Sequence, residues 1–516
     1  MNKTTTAGVL IGAFSCLLVA GCATGGGQPP PPAKYRCLFN HELLIVCGNK
    51  TNSPAYMASF IDKLKDTDVD AVLCCPTAWR ANLFPSEVDP QWKKYTPAQK
   101  SPKFPSFDYI MKYIHGGGDP VKETLEACRR NGKAFFISYR MNDHHYVADK
   151  TWPTHNAFWR EHPQYWLGDT EDSPYTFSDH CRLLNYLIPE VREYYFAIIQ
   201  ELCTRYDVDG LELDFQRFPK FFHKAKTEEG RRVMTGFVAR IRALADKVGR
   251  ERGKFLPLCV RVPETPALCE AAGLDVLDWD ARGLVQMINI SSSYIHTMNL
   301  DIEGFKARRT QARLYGEMNY VTYQAPKTAK GFGRRYTTFE VYRATALNFL
   351  TRGADGLSLF NYDYVPAKLR PAMAPGLKGI TDVEFLRTTA KDYTIYPRSG
   401  LLPATNKATL QVIIPDDTRQ VPFSRAALRI ETRRDSTKVK FGVRLNGKEL
   451  APCDWPDTEL FPPVDRNEGY ATRDCVKFFA VPLEALVVGA NTIEIARQDG
   501  GKSACSLFSM ELALIK

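Results

Sequence analysis

The 516-residue chain has no C-x-x-C pair, only nine histidines and no extended basic run. Structural zinc sites need ligands at such short spacings, so no metal and no cofactor are expected. Lys and Arg interleave with Asp and Glu, so the net charge of +10 is spread along the chain. That argues against a nucleic-acid surface. It leaves two readings open, an anionic ligand or a generally soluble surface. The apolar run Ala7–Ala20 is too short to cross a bilayer comfortably. Of the 14 cysteines, Cys47, Cys74, Cys75 and Cys259 lie inside apolar strand-like runs, where cysteine behaves as a small hydrophobe. No disulfide framework is expected.

What is present is a globular composition, 44% hydrophobic and 24% charged, on a chain long enough for two domains. Its centre is Asp209-Gly-Leu-Glu-Leu-Asp-Phe-Gln-Arg217. Leu211, Leu213 and Phe215 alternate with Glu212, Asp214 and Gln216, the signature of a strand. Glu212 and Asp214 share one face, about 6.6 Å apart at roughly 3.3 Å per residue. In a parallel barrel the leucines face the helices and the acids face the interior. Asp214 then stands at the C-terminal mouth, where such barrels keep their chemistry. Glu212 sits a layer deeper and is expected to be structural, paired with a basic residue.

Seven other apolar runs read as strands: 43–47, 71–75, 134–138, 255–262, 285–290, 312–317 and 356–360. Helical patterns alternate with them. Eight such units predict an α/β fold, a (β/α)8 TIM barrel, over residues 37–365. Residues 366–403 read as a Pro-rich linker with a helix near 382–391. Over 404–516 six short runs follow without helices, and Asn446-Gly447 is a hairpin signal, so an all-β sandwich is expected there.

The N-terminus reads as an address. Lys3, the apolar run and Leu18-Val-Ala-Gly-Cys22 resemble a bacterial lipobox. The resemblance implies a signal peptide over 1–22, lipidation at Cys22 and a Gly/Pro tether over 23–36. It also implies a lipid-anchored protein of the bacterial cell envelope, at the outer membrane because Ala23 follows the cysteine.

Strand-end residues gather at one mouth: Trp79 and Arg80; Tyr139, Arg140, Asn142, Asp143 and His144; Asp214 and Arg217; Arg261 and Glu264; Tyr294 and His296; Glu317 and Asn319; Asn361 and Tyr362. Aromatic rings suit the apolar faces of sugars, and Arg, Asn and His suit hydroxyls and carboxylates. His144 and His145 could hold a metal or serve as hydrogen-bonding loop residues.

The stretches 209–217, Ser138-Tyr-Arg-Met-Asn-Asp-His144, Val260-Arg-Val-Pro263 and Gly273-Leu-Asp-Val276 with Trp279 resemble the glycosyl-hydrolase-like, family-10-like barrels. Those are lipoproteins of polysaccharide-degrading bacteria. The resemblance implies a carbohydrate substrate and two carboxyl groups, one after strand four and one after strand seven. Asp214 and Glu317 match those places, and Glu264 is an alternative acid or a helix-capping carboxylate. The best-known pattern has Asn-Glu at the end of strand four, which this chain lacks, so acid and nucleophile are not assigned. Two other readings remain: a barrel that binds glycan without hydrolysing it, and an amidase acting on cell-wall material.

Overall fold

A computed structural model describes residues 35–46, 48, 50–96, 101, 103–168, 182–324, 334–364, 376–395, 407–432, 438–454, 475–500, 505 and 507–516. Cys22, the signal segment, the tether up to residue 34 and Cys47 lie outside the described residues, as do 366–375 and 396–403 of the expected linker.

Eight strands close into a parallel barrel: β1 Cys37–Glu42, β2 Ala71–Cys75, β3 Ala134–Arg140, β4 Gly210–Asp214, β5 Leu258–Pro263, β6 Met287–Ser291, β7 Arg313–Asn319 and β8 Gly356–Phe360. Each pairs with its sequence neighbour, and β8 closes onto β1. Helices such as Pro189–Arg205, Thr227–Glu251 and Phe339–Arg352 cover the outside. The last begins where the Thr338 side chain accepts the Val341 amide, and it ends on Gly353 at φ 111°. Those are a capping hydroxyl and a left-handed glycine stop.

The first strand differs from the expectation. Residues 43–46 form a short helix, and β1 lies just before it. Its polar end, Asn40-His41-Glu42, disguised it, whereas the run Leu43–Val46 looked more strand-like because it is uniformly apolar. Tyr35 and Arg36, assigned to the tether, already contact the barrel: the Tyr35 ring packs edge-on against Phe136, and the Arg36 amide donates to Asp70.

Alternation sorts the side chains. The barrel floor is apolar, with Leu38, Leu73, Phe136, Cys259, Met287 and Tyr315 in one cluster. Gly210 occupies the β4 place in that layer, where a Cβ would run into the Phe136 ring. Polar groups fill the layers above. Side chains join strands that are not neighbours, as in Asn289 to Ser358 at 3.1 Å and Glu212 to Asn289 at 3.1 Å. Such bonds form only across the interior. The outward face carries Leu211, Leu213, Val260 and Val262, all buried against the helices. Burying one such side chain is worth roughly 1.5–3 kcal/mol.

Beyond the barrel, strands β9 Lys391–Ile395, β10 Lys407–Ile414, β11 Arg425–Thr432, β12 Phe441–Leu445, β13 Lys448–Glu449, β14 Pro452–Cys453, β15 Val476–Val481, β16 Gly489–Arg497 and β17 Leu507–Ile515 follow. They build two antiparallel sheets, ordered β9-β17-β11-β15-β14 and β10-β16-β12-β13. Leu428, Ile430, Leu512 and Leu514 of one sheet share a core with Val412, Val443, Ile493 and Ile495 of the other. The hairpin turn Asn446-Gly447 has φ of 50° and 82°, the geometry the Asn-Gly pair favours. Strand β9 lies within the stretch read as a linker, and the helix there is the shorter Val383–Arg387.

The sheets are fastened to the barrel. Arg335, on a ribbon formed by Val321–Gln324 and Arg334–Tyr336 after β7, reaches Glu511 at 2.5 Å and Ser509 at 3.4 Å. Asn348 of the Phe339–Arg352 helix donates to the Ile413 carbonyl at 2.8 Å. Ten cysteines are described, and all but Cys453 are buried. Burial pushes Cys75 up to about 11, and Cys128 and Cys203 up to about 12.

Candidate active site

The C-terminal ends of the strands carry a continuous network of charged groups. Asp214, the last residue of β4, uses one oxygen for three donors. Its Oδ1 accepts Arg261 Nη1 at 2.9 Å and the backbone amides of Gln216 and Arg217 at 3.0 Å each. Among the described residues none donates to Oδ2. The turn after β4 therefore fixes the carboxylate and leaves one oxygen for the mouth.

Arg261 of β5 lies between Asp214 and Glu317. It donates to Glu317 through Nε at 2.5 Å and Nη2 at 2.8 Å, while its guanidinium stacks 3.8 Å over Phe360. Glu317 Oε1 also accepts the Ser291 hydroxyl and, at 3.1 Å, the Asn319 amide. The two carboxylates expected after strands four and seven are thus brought together, and one guanidinium bridges them. Burial opposes the charge on Arg261, but the Asp214 and Glu317 carboxylates outweigh it and raise its pKa.

One layer below, Glu212 accepts the Ser138 hydroxyl at 2.7 Å, the Asn289 amide at 3.1 Å and the Cys259 thiol at 3.5 Å. The expected basic partner is absent among the described residues: all three partners are neutral. Burial, reinforced by the Asp214 charge, pushes Glu212 up to about 7. It is a carboxyl group poised to hold a proton beneath the mouth.

On the opposite side, Arg140 joins Glu42 of β1 and, at 3.5 Å, Asp143. Asp143 takes His145 Nδ1 at 2.8 Å. Burial alone would raise the Asp143 pKa, but His145 and Arg140 hold it far below the usual carboxylate range. His145 Nε2 meets Arg217 Nη2 at 3.1 Å, and Arg217 lies over the Phe218 and Tyr294 rings. His144 stacks on Phe218 with ring centroids 3.6 Å apart. His144 acts here through ring packing, and His145 through hydrogen bonds and ring packing.

Two expected lining residues are turned elsewhere. Tyr139 points to the helix layer, where its hydroxyl donates to Asn82 and its ring packs against Tyr195. Alternation requires this, because Arg140 takes the inward face. Asn142 spends its amide on the carbonyls of Leu184 and Lys220, anchoring loops. Glu264 follows β5 directly and is half-buried, and Asn361 follows β8 with its backbone at φ 56°. Glu42, Ser291 and Asp363, which pairs with His41 at 3.3 Å, were missed. Placing β1 correctly would have put Asn40 and Glu42 on the interior face.

Strain concentrates at this end. Trp79, Tyr146, Ser293 and Asn361 have positive φ, and each lies in the loop beyond a barrel strand, after β2, β3, β6 and β8. A bulky residue held there costs on the order of 1–3 kcal/mol, and such positions cluster at functional sites. Trp79 lies 5.4 Å from the His145 ring, 5.0 Å from Phe104 and 4.8 Å from Tyr146, and Tyr146 stacks on Trp152 at 3.7 Å. Tyr146 is 44% exposed, so this aromatic wall reaches solvent.

Eight parallel strands closed into a barrel, with carboxylates and arginines at the C-terminal mouth, make a (β/α)8 TIM barrel. Residues 46–232 match the model of the family described as Glycosyl hydrolase-like 10. No curated protein matches the chain. Similar solved structures include a noncanonic maltogenic alpha-amylase, AmyB, from Thermotoga neapolitana, at 11% identity, TM-score 0.40, covering 94% of this chain and 99% of that one. The PgaB (BpsB) glycoside hydrolase domain from Bordetella bronchiseptica matches at 10% identity, TM-score 0.42, over 67% of this chain and 99% of that one. A chitinase from Chromobacterium violaceum matches at 11% identity, TM-score 0.36, over 67% and 99%.

Proposed function

We propose that the mouth hydrolyses glycosidic bonds, with Asp214 as the carboxylate that acts at the sugar carbon or on the attacking water. The observation that carries this is the asymmetry of Asp214: Oδ1 is fixed by Arg261 and two backbone amides, and Oδ2 receives no donor from the described residues. Both Glu317 oxygens are already taken, with four hydrogen bonds converging on them. Its role is to hold Arg261 in place. Glu264, half-buried on the neighbouring strand end, is the donor in this reading.

The experiment is a glycan-library hydrolysis screen with product analysis on wild type, Asp214→Asn and Glu264→Gln. General acid–base assistance contributes roughly 10²–10⁴-fold, so each variant should lose at least that order of activity. Glu264→Gln should recover on substrates with an activated leaving group. Full activity in Asp214→Asn overturns the assignment. The product anomer reports retention or inversion.

A second reading, glycan binding without hydrolysis, is favoured by one observation: Arg261 engages both expected acids at once. Tight binding without product in the same screen selects it. In either case, lipidation of Cys22 is proposed to tether the protein to the cell envelope. Cys22→Ser should release it from the membrane fraction.

A further inference from the structure

A cavity of about 370 Å³ lies beside the aromatic wall, lined among others by Lys94, Lys103, Arg160, Phe107 and Met111. That volume is within the range of small-ligand sites. Its apolar lining, Phe107 and Met111, comes from the Pro105–His115 helix, whereas the three cations come from three separate segments. Among the described residues, neither Lys94 nor Arg160 has a side-chain hydrogen-bond or ion-pair partner. Lys103 is engaged, with Asp149 at 2.5 Å and Thr151 at 3.0 Å. The one carboxylate in the lining, Asp108, accepts the Ser101 amide at 2.6 Å. Asp89, buried behind the wall, hydrogen-bonds Tyr194 at 2.9 Å and feels the fields of Lys94 and Arg160. Two cations with no direct ion pair among the described residues therefore line a cavity that also has an apolar side.

A run of side-chain contacts leads from the mouth to the neighbours of the cavity lining. Asp214 fixes the Arg217 amide, and Arg217 meets His145. His145 packs on Trp79, and Trp79 packs on Phe104 and Trp152. Phe104 and Trp152 are chain neighbours of the lining residues Lys103, Thr151 and Pro153. A saccharide leaving the mouth along this wall would meet the cations next.

We infer that this cavity is an outer subsite for an acidic sugar, one carrying a carboxylate or a sulfate. The inference rests on the glycan reading above and adds its substrate class. Phe107 and Met111 take the apolar face of the ring, and Lys94 and Arg160 take the anion, a geometry guanidinium and ammonium groups suit.

The test uses the full chain carrying Asp214→Asn, so that turnover does not blur binding. Dissociation constants are measured by calorimetry for an oligouronide, a sulfated oligosaccharide and a neutral oligosaccharide of equal length. They are measured again with Lys94→Ala/Arg160→Ala added. Both added positions are exposed, so the fold should survive. At least one acidic ligand should bind more tightly than the neutral one and lose affinity as salt rises. The double substitution should weaken that ligand by roughly three- to tenfold and leave the neutral one unchanged. Unchanged affinity for the acidic ligands, or equal weakening of acidic and neutral ones, overturns the subsite. Equal affinity of acidic and neutral ligands before the substitutions also overturns it while the glycan reading stands. Absence of any glycan binding overturns both.

Discussion

Arg261 grips Glu317 at two points, Nε to Oε2 at 2.5 Å and Nη2 to Oε1 at 2.8 Å, across the barrel interior from β5 to β7. All of these groups are buried, and Asp214 shares the same guanidinium. Removing the arginine strands two buried carboxylates. Arg261→Ala should lower unfolding free energy by about 3–5 kcal/mol in chemical denaturation. Arg261→Lys should recover only part, because an ammonium lacks the planar fork.

Glu212 makes stability depend on pH in a direction opposite to that of a salt-bridged carboxylate. Its folded pKa is raised to about 7 from 4.5. Between those values the folded state binds more protons than the unfolded state. Its contribution is therefore complete below pH 4.5, declines as pH rises, and is gone above about 7. The full swing is on the order of 3 kcal/mol. Glu212→Gln should flatten the stability profile between pH 4.5 and 7. A profile identical to wild type would sink this account.

The aromatic wall is expected to act on ground-state binding more than on chemistry. Trp79→Ala should raise KM on an oligosaccharide substrate by roughly three- to tenfold with kcat little changed. A loss confined to kcat would place the ring at the reacting centre instead.

The β-sheet region should melt together with the barrel as long as Arg335 is present. Arg335, Arg429, Glu431 and Glu511 are all buried in one ionic cluster spanning the ribbon after β7 and the five-stranded sheet. Arg335→Ala leaves Glu511 and Glu431 with Arg429 alone. Calorimetry should show destabilisation of about 3–5 kcal/mol, with a single thermal transition broadening or splitting.

Much of this arrangement was legible because strand alternation is local. The pattern Leu211-Glu-Leu-Asp214 placed Asp214 at the end of β4, and each of the other strand-end stretches lies at or just beyond the C-terminal end of a barrel strand. The same rule, applied to Phe135, Ile137 and Tyr139, would have turned Tyr139 outward. What the sequence hides is pairing between strands two apart. Nothing in the order of residues says that Arg261 would take Glu317, or that Arg140 would take Glu42. Those contacts are what lead the proposed mechanism to treat Glu317 as an anchor for Arg261.

The nine buried cysteines among the described residues make the protein its own unfolding clock. Each is shielded from solvent, and those pushed up to about 11 or 12 carry almost no thiolate at neutral pH. An alkylating reagent therefore reaches them only when the chain opens. The positions are spread along the chain, with Cys37, Cys74, Cys75 and Cys259 in barrel strands and Cys128 and Cys203 in the helices around them. Cys475 and Cys505 lie in the sheet region. Mass spectrometry of partly alkylated protein would thus report which layer opens first, with no probe engineered into the chain.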